Sequence, residues 1–411
     1  MRMPLVPGIG TGPLVGGDGL AKAPAVPAII SNVPGSFAWH VFHDRHPKLI
    51  GQIRQAHPYL PGQHQALHDL LDETLTGRIS PLPPTAHDHA AWDALGDGYF
   101  GQRWYDVAFL WAESYFYRKL LDAVGFFEPG PWFWIDPFEF LKTAELRDPA
   151  LESELGALDE VLRLPAHDRA EALLLASLWG NRADLGFRIG LAAASGQPAQ
   201  AASLVADDSA AVWSVFDAGA ARKVCLVADN AGRELLSDLV LIDHLVETGL
   251  AAEVVLHLKP QPYYVSDAVT ADLVGCLRRL AATTGSAADI ARRIHQAMAD
   301  GRVTVYTHWF YCAPLSFHHM PPDLAREFES VSLTVLKGDL NYRRLVGDCD
   351  WPATTPFATT ADYFPGPVVA LRTLKSDVVV GLDTATLSAL DASGESWRTS
   401  GTHGLVQARL S

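Results

Sequence analysis

The sequence predicts an α/β protein, with a helical region first and then an α/β sandwich on a mainly parallel sheet, the boundary lying near residue 200. Three observations predict it. From about Pro47 to Ala202 apolar residues recur at three- and four-residue spacing, the period of an amphipathic helix. After Pro198 short β-branched runs alternate with helical stretches, which implies parallel strands covered on both faces. The 411 residues are 48% hydrophobic, 19% charged and 9% aromatic, enough for a sizeable core and for two or three domains or one large enzyme with insertions.

Residues 1–30, MRMPLVPGIGTGPLVGGDGLAKAPAVPAII, are rich in Gly and Pro and read as a flexible leader. Gly8, Gly10 and Gly12 do not make a nucleotide loop, because no strand precedes them and Pro13 follows at once. The segment lacks the continuous apolar stretch of a signal peptide, and no part of the chain reaches the ~18 uncharged apolar residues of a membrane span. Residues 31–200 form the helical domain. WDALGDGYFGQRWYDVAFLWAESYFYRKLLDAVGFF and RAEALLLASLWGNRADLGFRIGLAAA carry the helical spacing, and PLPPT and EPGP punctuate it.

Residues 201–411 form the α/β/α unit. SLVADD, KVCLVADN, AEVVLHL, RVTVYTH, LTVLKGD, PVVALRT and DVVVGL are its strand candidates, and ADLVGCLRRLAATT and ADIARRIHQAMAD lie between them as helices. The net charge of −15 argues against a nucleic-acid surface, which needs clustered Lys and Arg, but leaves room for a local basic pocket. Cys225, Cys276, Cys312 and Cys349 lie far apart with no C-x-x-C pair, a pattern suited to reduced thiols in the cytoplasm.

In open α/β sheets ligands bind outside the carboxyl ends of the strands. Those ends carry Asp207 and Asp208, then Asp229 and Asn230, then Lys259 leading to Ser266 and Asp267, then KGDLNYRR and LRTLKSD. Asp229, Asn230 and Asp267 are oxygen donors without a thiolate or imidazole beside them, a set suited to Mg²⁺ or Mn²⁺ and not to structural Zn²⁺. Each also suits a helix N-cap, with Ser266-Asp267 the plainest instance. In KGDLNYRR, Gly338 falls at a strand-to-helix turn, so free backbone N–H groups attract an anion there and Arg343 can fork onto a phosphate. Arg372 and Lys375 add positive charge at the next strand end; each basic residue alone is equally a surface charge. His43/His46, His64/His68 and His318-His319 read as structural or solvent-facing, since no H-E-x-x-H stands among them. No G-x-S-x-G is present, and the cysteines sit mostly in apolar runs, so a Ser or Cys nucleophile has no support.

Taken in order, LVADNAGRELLSDLVLIDHL, LHLKPQPYYVSDAVTADL, VLKGDLNYRRLVGD and LRTLKSDVVVGL resemble the metal-dependent damage-control phosphatase family, also described as acidic-residue or protein-glutamate methyltransferase-like. WAESYFYRKL and SLWGNRADLG are similar to its helical part, and RTLK resembles the signature of the subgroup that includes sugar-phosphate phosphatases. The likeness runs from about residue 30 to residue 385. It implies a helical N-terminal region packed on a Rossmann-like three-layer α/β/α sandwich. It implies Asp229, Asn230 and Asp267 as metal ligands, and Asp339, Leu340, Asn341, Tyr342, Arg343 and Lys375 as the substrate-holding set beside Asp229 and Asn230. Asp229, Asp339 and Lys375 would be catalytic. The resemblance further implies hydrolysis of phosphate esters of small metabolites, such as fructose 1-phosphate or fructose 6-phosphate, with Mn, Co, Ni or Mg. One departure is Gly186, where the family commonly has serine. Asn181 and Asp184 would wall the pocket or cap a helix.

Two other readings compete with hydrolysis. S-adenosylmethionine-dependent carboxyl methylation would want a glycine-rich first turn, and LVADNAG is not one. A non-catalytic sugar-phosphate binder would use the same cradle for binding alone. A D-x-D phosphatase fits poorly, because Ala231 occupies the second position after Asp229.

Overall fold

The computed structural model describes residues 26–180, 203–216 and 222–411. The leader glycines, Asn181, Asp184 and Gly186 therefore lie outside the described residues. Seven strands form one sheet: β1 (Ser203–Asp207), β2 (Lys223–Val227), β3 (Glu253–Leu258), β4 (Val303–Thr307), β5 (Leu333–Lys337), β6 (Val368–Thr373) and β7 (His403–Arg409). Their spatial order is β1-β7-β6-β5-β2-β3-β4. Strands β2 to β6 run parallel. β7 pairs antiparallel with β6 and carries β1 parallel to itself, so these two run the other way. The sheet is mainly parallel, as the alternation of strands and helices implies.

Two strand expectations need correction. DVVVGL is not a strand, although Val378, Val379 and Val380 are buried. Side chains satisfy its backbone in place of a ladder: Val380 N–H donates to the Tyr342 hydroxyl, and Gln407 and Arg372 donate to the carbonyls of Val380 and Val378. The last strand is HGLVQAR instead. Asp207 and Asp208 do not share an edge with the other strand ends, because β1 is reversed. There Asp207 accepts from Ser209 N at 3.0 Å.

Side chains alternate between two cores. Val224, Leu226, Val335 and Leu371 face one, filled by helices Ala150–Leu162, Ala166–Trp179, Arg233–Glu247, Thr270–Ala281 and Ser286–Ala299. Cys225, Val227, Leu336 and Ala370 face the other, filled by helices Pro322–Glu329, Gly338–Val346 and Phe357–Ala361. The helices that follow β2 and β5 thus cover opposite faces. Between those two strands the connections diverge, which opens a crevice at their carboxyl ends.

The N-terminal helices His46–Ala56, Pro61–Thr76 and Phe109–Ala123 share a third, aromatic-rich core including Phe42, Trp104, Phe109 and Phe116. The helical spacing around Trp92 breaks at Gly96–Gln102, and after a short 3-10 turn at Trp104–Asp106 the α-helix resumes at Phe109. Leu110, Tyr263, Cys312 and Leu340 form a small cluster of their own, which joins the helix Phe109–Ala123 to the loops above the sheet. Among the described residues no helix is long and apolar enough to cross a membrane.

Candidate functional site

The crevice between β2 and β5 holds a cavity of about 200 Å³. Its floor is made by backbone. Beyond β2 the chain pairs with the segment beyond β3: Ala268 N–H donates to Asp229 O at 2.9 Å and Ala231 N–H to Ser266 O at 2.7 Å, with an antiparallel bridge between Asn230 and Asp267. This pairing sets Asp229, Asn230 and Asp267 together on the cavity wall. None of the three caps a helix. The N-cap before Arg233–Glu247 is Gly232, and before Thr270–Ala281 it is Val269. The Asp267 carboxylate instead accepts from Tyr264 N–H at 3.1 Å.

The amide of Asn230 is oriented from behind. Its Nδ2 donates to Asp229 Oδ2 and to Glu234 Oε2, both at 2.8 Å, and its Oδ1 accepts from the Ser266 hydroxyl. Glu234 is in turn held by Lys337, whose buried Nζ lies 3.2 Å from Glu234 and 2.9 Å from Asp238. Burial pushes the Asp229 carboxyl well above its ordinary range. Repulsion from Glu234 and Asp267 adds to this, and Lys259 and Lys375 oppose it. Lys259 Nζ stands 3.9 Å from Asp267.

Two buried carboxylates and a carbonyl oxygen with a second lone pair form a hard-oxygen donor set that lacks positive charge at its centre. That chemistry fits a divalent ion of the Mg²⁺ or Mn²⁺ kind. Among the described residues no group of three or more His, Cys, Asp or Glu offers an alternative metal site.

The opposite wall comes from β5 and β6. Gly338 starts the helix with φ +83°, and a Cβ there would lie 1.8 Å from Asp229 Oδ2, so only glycine fits. The N-cap residue Lys337 makes no side-chain cap hydrogen bond, and among the described residues no side chain bonds the first-turn N–H groups, which suit an anion. Among the described residues Asp339 accepts on Oδ1 only, from Arg372 Nε at 2.8 Å, Ser376 Oγ at 2.9 Å and the Lys375 backbone N–H at 3.4 Å. Burial raises this carboxyl, but Arg372 and then Arg343 outweigh it and hold it below the ordinary range. Oδ2 of Asp339 has no protein partner among the described residues, nor has the half-buried ammonium of Lys375, which lines the same cavity.

Several expectations for the substrate cradle are revised. Arg343 lines the cavity, but its fork is taken by Asp348 at 2.7 and 2.9 Å, with Nη1 on Glu113 at 3.1 Å. Arg372 is fully buried and spends its donors on Asp339, Ser376 and Val378, so it supports the wall from behind. Tyr342 does not reach the cavity. It packs in the core beneath Arg372, with its hydroxyl on Gln407 at 3.0 Å, because residue 342 falls on the helix face turned to the sheet. Asn341 is buried as well and ties its helix to β2 through Ala228 O at 3.3 Å. Leu340 does line the cavity. Sequence reasoning missed Arg45, Glu113, Tyr117 and Tyr264, which reach the cavity from the helical region and the loop after β3. None carries a local signal, since only tertiary docking brings them there. The histidines are structural or peripheral: His46 stacks on Phe116 at 3.6 Å and His318 on Tyr363 at 3.6 Å, and His68 faces solvent beside Asp72. All four cysteines are buried and free.

Three oxygen donors beside a glycine-started helix N-terminus and a lysine ammonium without a partner among the described residues make a set suited to the chemistry of phosphate esters. The chain belongs to the damage-control phosphatase ARMT1-like family, whose domain matches residues 41–390, and it is accordingly a phosphatase of small phosphorylated metabolites. It is 31% identical to Damage-control phosphatase ARMT1 of Xenopus tropicalis over 430 residues, 92% of this chain and 97% of that one. It is 29% identical to the Mus musculus protein of the same name, over 94% and 99% of the two chains. Among solved structures, a DUF89 family protein from Pyrococcus horikoshii aligns with a TM-score of 0.46 and 14% identity, over 86% of this chain and 94% of that one.

Proposed function

We propose that this chain is a divalent-metal-dependent phosphatase that hydrolyses phosphate monoesters of small metabolites in the cytoplasm. Sugar phosphates such as fructose 1-phosphate or fructose 6-phosphate are its substrate class, and Mn, Co, Ni or Mg serves as the ion. The observation that supports this reading is the backbone pairing of residues 229–231 with 266–268, which brings three oxygen-bearing side chains, Asp229, Asn230 and Asp267, into one cavity with Asp339 and Lys375. Asp229, Asn230 and Asp267 would hold the divalent ion, which when bound would supply Lewis-acid charge at this wall of the cavity. Lys375 and the first-turn N–H groups of helix Gly338–Val346 receive the remaining negative charge as it develops. Asp339, kept ionised by Arg372, offers Oδ2 to orient the hydroxyl that attacks or leaves. Glu234 and Lys337 hold the Asn230 amide, and Asp348 and Glu113 hold Arg343 as fixed positive charge in the wall.

Release of inorganic phosphate from a panel of sugar phosphates, with each metal and then with chelator, tests the proposal. Turnover that needs a metal and is lost in Asp229→Ala supports it. Equal silence of wild type and Asp229→Ala in every metal would overturn it in favour of a binding protein, and tight metal-independent binding of S-adenosylmethionine would favour methyl transfer.

A further inference from the structure

The site cavity adjoins a larger one of about 500 Å³, and the two share Arg45, Tyr117, Val265 and Ser266 in their linings. The charged side chains of the outer space are Arg45, Lys48, Lys142 and Glu145, and they differ in what already neutralises them. Burial pushes the Glu145 carboxyl above its ordinary range, with the Arg233 backbone N–H opposing. Lys142 is buried between Asp136 at 2.8 Å and Asp272 at 2.9 Å, and its charge is spent. Arg45 and Lys48 are exposed, and neither makes a hydrogen bond or ion pair among the described residues. Arg45 ends a π-helical turn, Val41–Arg45, a distortion of the helical ladder that is frequent at functional sites. Lys48 stands three residues on, in helix His46–Ala56, at a spacing that puts both side chains on one face. Arg45 borders both cavities, whereas Lys48 borders only the outer one.

In a chain of net charge −15, two unpaired cations beside the mouth of an anion site focus negative ligands there. The inner cavity already has Lys375 and a helix N-terminus for the reacting phosphoryl group. The outer pair is left for something else on the same molecule.

We propose that the preferred substrate is a phosphate monoester carrying a second anionic group, a carboxylate or another phosphate, and that Arg45 and Lys48 bind that group. This rests on the phosphatase reading above. Fructose monophosphates would then be accepted, but less well than sugar phosphates with charge at both ends.

Matched pairs test it: fructose 1-phosphate against fructose 1,6-bisphosphate, and glucose 6-phosphate against 6-phosphogluconate. The second pair separates carboxylate from phosphate as the group read. The ratio of kcat/KM, two-anion over one-anion, should be roughly tenfold or more in wild type, the scale of one charge-assisted hydrogen bond. Lys48→Gln should lower it, and Arg45→Gln with Lys48→Gln should bring it near one. Arg292→Gln, which removes a surface charge far along the chain, should leave it unchanged. No preference in wild type, or a preference that survives the double variant, overturns the proposal. If no compound releases phosphate, calorimetric binding of the same pairs decides: tighter two-anion binding lost in the double variant upholds the inference while the phosphatase reading falls, and equal affinities overturn it.

Discussion

Gly338 leaves no room for a side chain against Asp229: a Cβ there would sit 1.8 Å from Oδ2 and 2.6 Å from the Asp229 Cβ. β5 thus delivers its helix start directly onto the carboxylate that ends β2, and the two walls of the cavity are one packed unit. Gly338→Ala should strain the backbone at φ +83° by about 1–2 kcal/mol and push the carboxylate out of line with Asn230 and Asp267. The expected result is loss of phosphatase activity by roughly a hundredfold or more, given how steeply rate depends on placement. The rise of melting temperature on adding Mn²⁺ should vanish with it. A variant that keeps both would show that the contact is incidental.

The proposed ligand set, Asp229, Asn230 and Asp267, makes metal binding a stability effect. Asp229 and Asp267 are buried, and the Asp267 carboxylate has Lys259 Nζ at 3.9 Å while Lys142 Nζ is taken by the Asp267 carbonyl at 2.8 Å, so a bound ion relieves carboxylate repulsion in the folded state alone. At a free metal concentration a hundred times its Kd, the folded state should gain about 2.7 kcal/mol. Asp267→Ala should abolish that gain while leaving a folded protein. Thermal scans with increasing Mn²⁺ measure it, and an unchanged metal response in Asp267→Ala would remove Asp267 from the ligand set.

Arg372 acts through Asp339. The guanidinium is fully buried and stacks on Tyr342 at 4.3 Å, and its Nε donates to Asp339 Oδ1. Arg372→Gln leaves the partly buried Asp339 carboxylate without its hydrogen-bonded counter-charge, with Arg343 the remaining cation near it, which should cost about 1–3 kcal/mol of stability. Positioning adds a second signature: kcat should fall roughly 10–100-fold with KM changed far less, because the misplaced group is Asp339 and not a substrate-binding cation. Steady-state kinetics beside urea unfolding separates the two, and a rise in KM at constant kcat would instead place Arg372 on the substrate.

What the sequence discloses here is where polar residues leave the sheet, because β-branched runs that end in Asp-Asn, Lys-Gly-Asp or Thr-Leu-Lys fix the strand ends by local chemistry. Asp229, Asn230, Asp267, Asp339 and Lys375 were legible for that reason, and the structure gathers them on one cavity. What each charge is bonded to was not legible. Arg343 looks like a phosphate fork until Asp348 and Glu113 are seen to occupy it, and Glu113 comes from the helical region. Strand direction was hidden as well. Nothing local in SLVADD says that β1 runs against β2, so Asp207 and Asp208 point to the wrong edge. DVVVGL has strand composition, but the Tyr342 hydroxyl and the Arg372 and Gln407 side chains take its backbone groups. Arg45 sits in HDRHPK, among residues with no pattern of their own, and only the docking of the helical region brings it to the site.

Acid should destabilise the protein through buried neutral histidines. His244 is buried with no partner on Nε2, and desolvation, with some help from Arg169, brings it down to about 4. Burial brings His318 to about 4 and His257 to about 3. Each folded-state value lies below the ordinary 6.5, so the folded state binds fewer protons than the unfolded chain between the two. Stability is then fully present above pH 6.5 and is lost as pH falls toward 4, by roughly 3 kcal/mol for a shift of the size seen at His244. His244→Leu removes one of these groups and fills the site with an apolar side chain. Urea unfolding at pH 7, 6, 5 and 4 should show a shallower decline for this variant than for wild type, and parallel declines would mean that His244 titrates normally in the folded protein.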